Sequence, residues 1–374
     1  MASIRIERVS KWYGPVEAVR DLSLFCADGE LLALLGPSGC GKTSTLKMLA
    51  GIEDVSKGDI YFGDRPVTAL DAAQRNVAMV FEDYALYSHL TVAQNIAFPL
   101  EIRGRPRDEI RRATEGVLAL LGLEASRDKS VRLLSGGAQQ RVGIGRALVR
   151  QPAVILFDEP LSHLDGTQKS QLRAEIKRLQ KEAGVTSVLV THDQTEAMAM
   201  ADRVAVMDRG VLQQIGTADD LYERPANLFV AQFIGEPPMN LLPGRLEGRG
   251  GRLMLDSEAG QLVLPSASAD GIAVAPEVPV IVGIRPEHLR LAGPEATAEP
   301  GLRGSVFFRE HRGDSDVVLV ELPGGLPGVA VEVESIAPWR EGDAVRVSAA
   351  DASVHLFDPG SGASLLSARV AAAV

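Results

Sequence analysis

A short run of residues near the start of the sequence has the composition of a phosphate-binding loop. It matches the pattern G-x-x-x-x-G-K-[ST] at every specified position, and a serine follows it. Glycines let a backbone wrap around a phosphate chain with its N–H groups pointing inward, and a helix start adds partial positive charge. The lysine then reaches the β and γ phosphates, and the threonine holds Mg²⁺. The predicted nucleotide contacts are Gly36, Pro37, Ser38, Gly39, Cys40, Gly41, Lys42, Thr43 and Ser44.

The residues around this loop provide the context that the pattern requires. Residues 30–35 form an apolar stretch of buried-strand length, residues 44–50 have a helical pattern, and Gly51 ends that helix. A glycine-rich turn with a surface lysine is the alternative, and the strand and helix argue against it. Upstream, residues 4–9 alternate as a strand, and residues 12–15 close it with a turn. Tyr13 in that turn could stack on an adenine face, although packing alone explains one tyrosine better.

Two carboxylates follow another buried-strand signal. Residues 154–157 are Val-Ile-Leu-Phe, and Asp158 and Glu159 come directly after them. Open α/β sheets bind their ligands at the carboxyl ends of the strands. We therefore expect Asp158 to hold Mg²⁺, directly or through water, and Glu159 to take a proton from an attacking water. A pair of solvated acids is the alternative, which the phosphate loop upstream disfavours.

A histidine follows another predicted strand of the same sheet. The strand pattern at residues 186–191 brings His192 to the edge where the carboxylates lie. A lone histidine there is more often structural, but in a phosphate-loop protein it is a candidate for contact with the γ-phosphate.

Ser135, Gly136 and Gly137 precede a helix that is predicted to run to Val149, and a helix start can bind an anion. On the residues alone, a simple helix cap explains these three residues better.

The remaining patterns divide the chain. Strands are predicted at residues 19–26 and 77–81, an amphipathic helix at 172–181, and a hairpin turn at 208–210. Residues 91–152 are helical, which indicates a helical insertion within one α/β domain. After Gly235 the composition shifts: residues 236–239 indicate a linker, and short alternating strands at 261–264, 278–284, 317–321 and 345–347 predict a small β-barrel.

Composition limits the class of protein. A chain of 374 residues favours two domains, and 45% hydrophobic content is ordinary for a globular protein. Two cysteines suit a reducing compartment, and a net charge of −10 argues against a nucleic-acid groove. No apolar run approaches the length of a membrane span, and the N-terminus lacks a secretory signal. We therefore expect a soluble protein that stays in the cytosol.

Taken together, these stretches resemble the ATP-binding cassette (ABC) family over residues 1–235. The likeness rests on the spacing of the phosphate loop, Ser135-Gly136-Gly137, Asp158-Glu159-Pro160, Leu164-Asp165 and Thr191-His192-Asp193. The resemblance implies that Tyr13 stacks on adenine, that Asp158 is the Walker B aspartate, that Glu159 is the catalytic base and that His192 is the switch histidine. It also implies catalytic contributions from Lys42 and Glu82, and Mg²⁺ ligation by Thr43, Glu82 and Asp158.

The same resemblance implies a homodimer. Residues 134–140 match the family's signature loop, which contacts the γ-phosphate bound by the opposite subunit, so that two composite sites need two copies. Asp165 matches the aspartate that crosses the dimer interface. The ATP contacts implied for this region are Ser135, Gly136, Gly137, Gln139 and Asp165.

The second half of the chain resembles the barrel of importer ATPases of the maltose and glycerol-phosphate type. Asn240-Leu241-Leu242 and residues 283–288 carry this likeness. The implied fold is an α/β P-loop NTPase with a RecA-like core and a helical subdomain at about 88–152, followed by an all-β OB-like (TOBE) barrel; the domains are residues 1–235 and 236–374. Residues 81–96, with Tyr84 to Tyr87 and Asn95, resemble the segment that receives the permease.

Five positions, which make four separate departures, differ from the family pattern. Glu82 stands where the family has a glutamine that contacts Mg²⁺ and water, and a carboxylate adds negative charge there and loses the amide donor. We therefore expect binding to be retained and hydrolysis or coupling to be altered. Ala138 replaces a glutamine, His163 replaces an asparagine or alanine, and Gly143 and Gly145 lie within a helix that glycine weakens. These last departures are expected to tune activity.

The resulting hypothesis is the ATPase subunit of a bacterial importer for a sugar, polyol or related organic solute, peripheral on the cytoplasmic face of the inner membrane. Its expected partners are two integral-membrane permease subunits bound through residues 82–96, indirectly an extracytoplasmic solute-binding protein, and a regulator on the barrel; its cofactors are ATP and Mg²⁺. A polyamine, metal or inorganic-anion importer and an ATP-dependent regulatory binding protein remain alternatives. A DNA-repair cassette would need a coiled-coil insertion, a translation factor usually has tandem cassettes, and an exporter often carries its own membrane helices.

Overall fold

The computed structural model describes residues 2–162, 166–249, 252–264, 279–295, 300–349 and 354–365. These residues belong to two compact units, Met1–Ala218 and Asp219–Val374. The domain limits expected from the sequence, residues 1–235 and 236–374, stay a prediction.

The first unit contains two sheets. One is a four-stranded antiparallel sheet in the order β2-β1-β4-β5, and the other is six-stranded in the order β10-β9-β3-β8-β7-β6. The strands are β1 Ile4–Tyr13, β2 Val16–Cys26, β3 Leu31–Leu35, β4 Lys57–Phe62, β5 Arg65–Pro66, β6 Val77–Val80, β7 Val154–Asp158, β8 Thr186–Thr191, β9 Arg203–Asp208 and β10 Val211–Gly216.

The six-stranded sheet positions the candidate site. Strands β3, β6, β7, β8 and β9 run parallel, and β10 is antiparallel at one edge. All residues of β3 and β8 are buried, because a parallel sheet is covered on both faces. Leu32, Leu34, Leu156 and Val190 from these strands join Leu46 in one hydrophobic core. The carboxyl ends of β3, β7 and β8 therefore meet at one edge, as the sequence predicts.

Helices α1 to α6 connect the strands of this unit. α1 packs against β7 and β8, while α2, α3 and α4 pack on one another between β6 and β7, which is the helical insertion predicted from the sequence. The helices are α1 Lys42–Ala50, α2 Val92–Ile102, α3 Arg107–Leu120, α4 Gly136–Leu148, α5 Gly166–Ala183 and α6 Gln194–Met200.

The second unit is mainly antiparallel β-structure. One sheet has the order β13-β12-β11-β14-β20 and the other β15-β19-β16-β17-β18, and their apolar residues form one core, including Leu255, Val282, Val318 and Val347. The elements are α7 Ala218–Glu223, which begins at the division, α8 Leu228–Phe233, β11 Asn240–Arg249, β12 Arg252–Ser257, β13 Gly260–Leu264, β14 Pro279–Ile284, β15 Leu289–Ala292, β16 Leu302–His311, β17 Ser315–Glu321, β18 Val329–Glu334, β19 Ala344–Ala349 and β20 His355–Phe357.

Two expectations about local structure need correction. β1 does not end at residue 9 but continues to Tyr13, and only Gly14 and Pro15 form the turn to Val16. Gly14 has a φ of 56°, which suits the first residue of a tight hairpin connection. Gly145 does more than weaken α4: a Cβ there would lie 2.6 Å from Leu121 Cδ1 and 3.0 Å from Val117 Cγ1. Glycine therefore lets α3 and the residue that follows it approach α4 closely.

Candidate functional site

The phosphate loop is shaped by close contacts with neighbouring backbone. A Cβ on Gly36 would lie 2.2 Å from the carbonyl oxygen of Met207, and a Cβ on Gly41 would lie 2.5 Å from that of Ala18. Gly41 also has a φ of 103°, which glycine adopts without strain. Both glycines are therefore required by the path of the chain, and contacts with the protein's own backbone fix the curved shape of the loop.

The start of α1 leaves hydrogen-bond donors available at this loop. Gly41 is the N-cap and provides no side-chain acceptor. The helical hydrogen bonds begin with the N–H of Thr45, which donates to the Gly41 carbonyl at 2.9 Å. The N–H groups of Lys42, Thr43 and Ser44 therefore lie in the first turn without helical acceptors, where an anion is stabilised.

Lys42 places a positive charge inside the loop. Its side chain is buried, and its Nζ donates to the carbonyl oxygens of Gly36 at 2.6 Å and Pro37 at 3.0 Å. Cys40 Sγ lies 3.7 Å from the same Nζ. Burial raises the pKa of the Cys40 thiol, so it stays protonated despite the nearby ammonium group. Phosphate oxygens make stronger, charge-assisted hydrogen bonds with an ammonium group than neutral carbonyls do.

Asp158 and Glu159 lie at the end of β7, as predicted. Burial, followed by the negative charges of Glu159 and Glu82, raises the pKa of Asp158, while Lys47 opposes the shift. Negative charge therefore accumulates at this edge, and a divalent cation would relieve it. Glu82 follows β6, and its charge contributes to the same field.

Glu159 has a backbone conformation that is unusual for a glutamate. Its φ is 45°, its N–H donates to the Val190 carbonyl at 2.9 Å, and its carbonyl accepts from Ser162 Oγ at 3.1 Å. A left-handed conformation in a non-glycine residue persists only where its surroundings fix it, and such residues are concentrated at functional sites. These two bonds hold the backbone of Glu159 in this conformation.

The structure brings Glu159 and His192 together. His192 follows β8, and its Nδ1 lies 3.0 Å from Glu159 Oε2, within hydrogen-bond distance. The His192 side chain remains 59% exposed, which leaves most of its ring accessible to a ligand. A carboxylate oriented by a histidine is a suitable general base for an attacking water.

The signature segment forms its own small hydrogen-bonded unit. Ser135 caps α4, and its Oγ accepts from the Ala138 N–H at 3.4 Å. Gln139 Nε2 donates to the carbonyls of Val131 at 3.0 Å and Leu134 at 3.4 Å, so this side chain shapes the loop. Among the described residues, no hydrogen bond or ion pair joins residues 135–139, including Gly136 and Gly137, to the phosphate loop. Asp165, Leu164 and His163 lie outside the described residues.

Comparison with known proteins decides the family. The model of the ABC transporter family matches residues 19–162, the MalK OB fold domain matches residues 235–289, and the TOBE domain matches residues 282–357. The sn-glycerol-3-phosphate import ATP-binding protein UgpC of Chromohalobacter salexigens is 44% identical over 96% of this chain and 95% of its own length. The chain belongs to the ABC transporter ATPases.

Other relatives of this ABC ATPase agree. The trehalose/maltose import ATP-binding protein MalK of Thermococcus litoralis is 45% identical over 97% of this chain and 99% of its own length. The structure of cbiO1 from Clostridium perfringens, which is part of the ABC transporter complex cbiONQ, is also similar. It matches with a TM-score of 0.55 and 29% sequence identity, and the match covers 59% of this chain and 90% of cbiO1. A dimeric ATP-binding cassette, solved in a post-hydrolysis state with ADP and Pi bound, matches with a TM-score of 0.50 and 28% sequence identity. The match covers 57% of this chain and 98% of that cassette.

These matches confirm the predicted fold class, the import ATPase family and the ATP-hydrolysing activity. In the part of the ABC ATPase that the structure describes, no helix is long and apolar enough to cross a membrane. The individual site residues stay predictions, and their geometry is the basis for the proposals below.

Three basic residues of the ABC ATPase were missed from the sequence. Arg146 in α4 donates to the carbonyls of Tyr84 at 2.9 Å and Ala85 at 2.5 Å, and both of these residues have positive φ. Burial lowers the pKa of Arg146. The sequence shows only that Arg146 is a long polar residue in a helix that contains glycine. That does not identify the carbonyl groups to which Arg146 donates.

Lys169 and Lys11 are the other two basic residues that were not predicted from the sequence. Lys169 in α5 lies 3.4 Å from Asp193 Oδ2 and 3.2 Å from Oε1 of the buried Glu196, whose Oε2 accepts from Thr191 Oγ1 at 2.8 Å. This network fixes the backbone on both sides of His192. Lys11 contacts the ring of Tyr13, which is 41% exposed. No periodic or motif signal distinguishes either lysine from an ordinary surface residue.

Proposed function

We propose that this ABC ATPase drives uptake of a sugar, polyol or glycerol phosphate through a separate membrane permease. The observation that carries the chemistry is the 3.0 Å contact between Glu159 and His192 at the carboxyl edge of the sheet that also carries the phosphate loop. Relatives with full-length similarity support the class of solute: their names specify glycerol 3-phosphate, trehalose/maltose and, in Haloferax volcanii at 43% identity, xylose/arabinose.

The residues present fit a nucleotide with Mg²⁺. Gly36 and Gly41 let the loop pack closely against the backbone of Met207 and Ala18, which fixes its curved path, and buried Lys42 contributes its charge. The hydroxyl of Thr43 and the carboxylate of Asp158 are hard oxygen ligands of the kind Mg²⁺ prefers. Mg²⁺ neutralises charge on the β and γ phosphates when bound.

The protein's own groups then carry out hydrolysis. Glu159 accepts a proton from the attacking water, and His192 holds the Glu159 carboxylate and presents its exposed ring to the γ-phosphate. Lys42 and the N–H groups of the first turn of α1 stabilise the charge that develops on the phosphoryl oxygens. Glu82 adds negative charge beside the phosphoryl oxygens, so a carboxylate in place of an amide at this position slows hydrolysis or changes its coupling to transport.

A second copy completes each site in this proposal. The Ser135 end of α4 offers N–H groups to the nucleotide on the phosphate loop of its partner, and Tyr13 stacks on the base. Because each ATP then joins surfaces from two subunits, ATP binds the closed dimer more tightly than the open one and favours closure. Hydrolysis removes that preference. The dimeric cassette among the structural relatives supports this arrangement.

We further propose that residues 82–96 receive the permease and that the protein is peripheral at the cytoplasmic face of the membrane. Tyr87 in this segment is 37% exposed, and its ring lies 4.3 Å from that of Phe98. The buried Asn95 accepts from the Tyr87 N–H at 2.9 Å and donates to its carbonyl at 3.1 Å, which keeps the segment in one shape. An aromatic surface on a fixed segment suits a helix of a partner protein.

The test combines hydrolysis, assembly and uptake. Glu159→Gln should lower ATP turnover of the purified full chain by about 100-fold or more, and it should trap an ATP-dependent dimer that light scattering detects. Full turnover in this variant would contradict the assignment of Glu159. Deleting the gene in its source organism should abolish uptake of one of labelled glycerol 3-phosphate, maltose or xylose. Unchanged uptake of all three would contradict the solute class and leave the ATPase assignment intact.

A further inference from the structure

Lys11 is a buried lysine with three defined contacts. Only 7% of the residue is exposed. Its Nζ lies 3.0 Å from Glu53 Oε2, donates to the Asp54 carbonyl at 2.8 Å and lies 4.9 Å from the centroid of the Tyr13 ring. A lysine side chain is flexible, and this set of partners restricts the ammonium group to one position over one face of the ring.

The partners of Lys11 belong to the end of the phosphate-loop helix. Gly51 terminates α1, and the N–H groups of Ile52 and Glu53 donate to the carbonyl of Lys47 at 3.0 and 3.2 Å. Glu53, which carries the carboxylate that binds Lys11, is therefore attached directly to the last turn of α1. Lys11 consequently links the Tyr13 ring to the helix whose first turn forms the phosphate site.

The contact also affects the ring itself. A cation within about 6 Å of an aromatic centroid is attracted by the electron-rich face. It occupies that face and draws electron density toward itself, so the opposite face repels the π electrons of a stacked base less strongly. Tyr13 is 41% exposed, which leaves a surface on which a base can stack.

We propose that Lys11 is a positioning residue for the nucleobase. It fixes the Tyr13 ring at a set distance from the phosphate loop and strengthens stacking on its free face. This inference rests on the proposed role of Tyr13 and adds to it: base recognition and phosphate recognition share one rigid support, which runs from Lys11 through Glu53 to α1. Lys11 itself contacts the tyrosine ring and not the base.

The test separates base affinity from phosphate affinity. Full-length protein with Glu159→Gln, which is expected to slow turnover strongly, is titrated calorimetrically with Mg-ATP and with Mg-tripolyphosphate, which has no base. Lys11→Met should weaken ATP binding by about fivefold to twentyfold and leave tripolyphosphate binding within about twofold. Lys11→Arg, which keeps the charge, should retain ATP affinity. Equal weakening of both ligands, or no weakening of either, would overturn the proposal.

Two further variants control for folding and for the role of Tyr13. If Lys11→Met does not fold, Glu53→Gln releases the ammonium group without removing it and should weaken ATP binding selectively; no selective loss there would overturn the proposal. In a Tyr13→Leu background, Lys11→Met should have no further effect. If Tyr13→Leu leaves ATP affinity unchanged, the assignment of Tyr13 fails first. If Tyr13→Leu weakens ATP binding and Lys11→Met does not, the inference about Lys11 alone fails.

Discussion

The phosphate loop and the signature segment both lie at the start of a helix, but they treat the helix donors differently. At α1 the N-cap is Gly41, which has no side-chain acceptor, so the first N–H groups remain for a phosphate. At α4 the N-cap is Ser135, whose Oγ accepts from Ala138 at 3.4 Å. The first site is shaped by the packing of its own chain, whereas the second has a side-chain cap, and in the proposed dimer it exchanges this long hydrogen bond for the ligand of the partner. Under this proposal, the phosphate loop forms its half of the site within one chain, and the Ser135 segment acts only when a partner is present.

The largest expected effect distinguishes the glycines of the two segments. Gly36→Ala places a Cβ 2.2 Å from the Met207 carbonyl, and the backbone must move, so we expect a loss of stability of about 3 kcal/mol and loss of ATP binding. A Cβ in Gly137→Ala meets only the side chain of Leu172, with Cδ1 at 3.3 Å and Cγ at 3.9 Å, and that side chain can shift. Urea unfolding and nucleotide titration of both variants check this. Equal damage from the two substitutions would mean that both loops are prepared by packing.

Ser135→Ala tests whether the second segment acts only in the dimer. Removing one hydrogen-bond donor to the phosphoryl group should lower turnover by about 100-fold, because the proposal assigns this hydroxyl to the site of the partner. Nucleotide affinity of the monomer, measured at a concentration below dimerisation, should not change. Weaker binding to the monomer would indicate that Ser135 serves the phosphate loop of its own chain.

Glu82→Gln examines the charge on the phosphate-loop side. Removing a negative charge beside the phosphates should tighten ATP binding and change turnover by about threefold or more in the dimer. Asp158 should titrate at lower pH because Glu82 contributes to raising its pKa. Steady-state kinetics against the parent protein measures the effect. Equal turnover in the two proteins would count against a special role for this carboxylate.

His355 lies outside both the phosphate loop and the signature segment, and it is expected to make the stability of the protein depend on pH. Burial, with help from Arg285 and His288, lowers the pKa of His355 to about 4 in the second unit. The unfolded chain therefore binds a proton more readily between pH 6.5 and 4, so the free energy of unfolding falls as the pH falls, by about 2 kcal/mol at pH 5 relative to pH 7.5. His355→Gln should flatten this part of the curve in chemical unfolding. An unchanged curve would assign the acid sensitivity to other groups.

Much of the fold follows from patterns that the sequence displays. The buried strands, the phosphate loop, the capping glycine at residue 51 and the carboxylates after β7 each combine a local pattern with a known connection rule. The approach of Glu159 to His192 could be expected from parallel strands, because neighbouring strands deliver their carboxyl ends to one edge. The left-handed conformation of Glu159 could not, since no residue preference signals it and only the surrounding hydrogen bonds select it.

The missed features depend on distant contacts. Gly145 resembles a helix defect until α3 is seen against it, and Lys11 resembles a polar residue in a strand until Glu53 and Tyr13 surround it. Nothing in local periodicity specifies which buried side chain meets which carbonyl, because such contacts join residues that are far apart in the chain. For the same reason, the contact between Arg146 and residues 84–85 could not be predicted.

The bonds from Arg146 to the carbonyls of Tyr84 and Ala85 have a structural consequence. α4 contains 13 residues and is about 20 Å long, with Ser135 at one end and Arg146 near the other. One continuous helix therefore joins the Ser135 cap to the segment at residues 84–85, so that in the proposed dimer the contact made by Ser135 and the contact made by residues 84–85 share a single structural element.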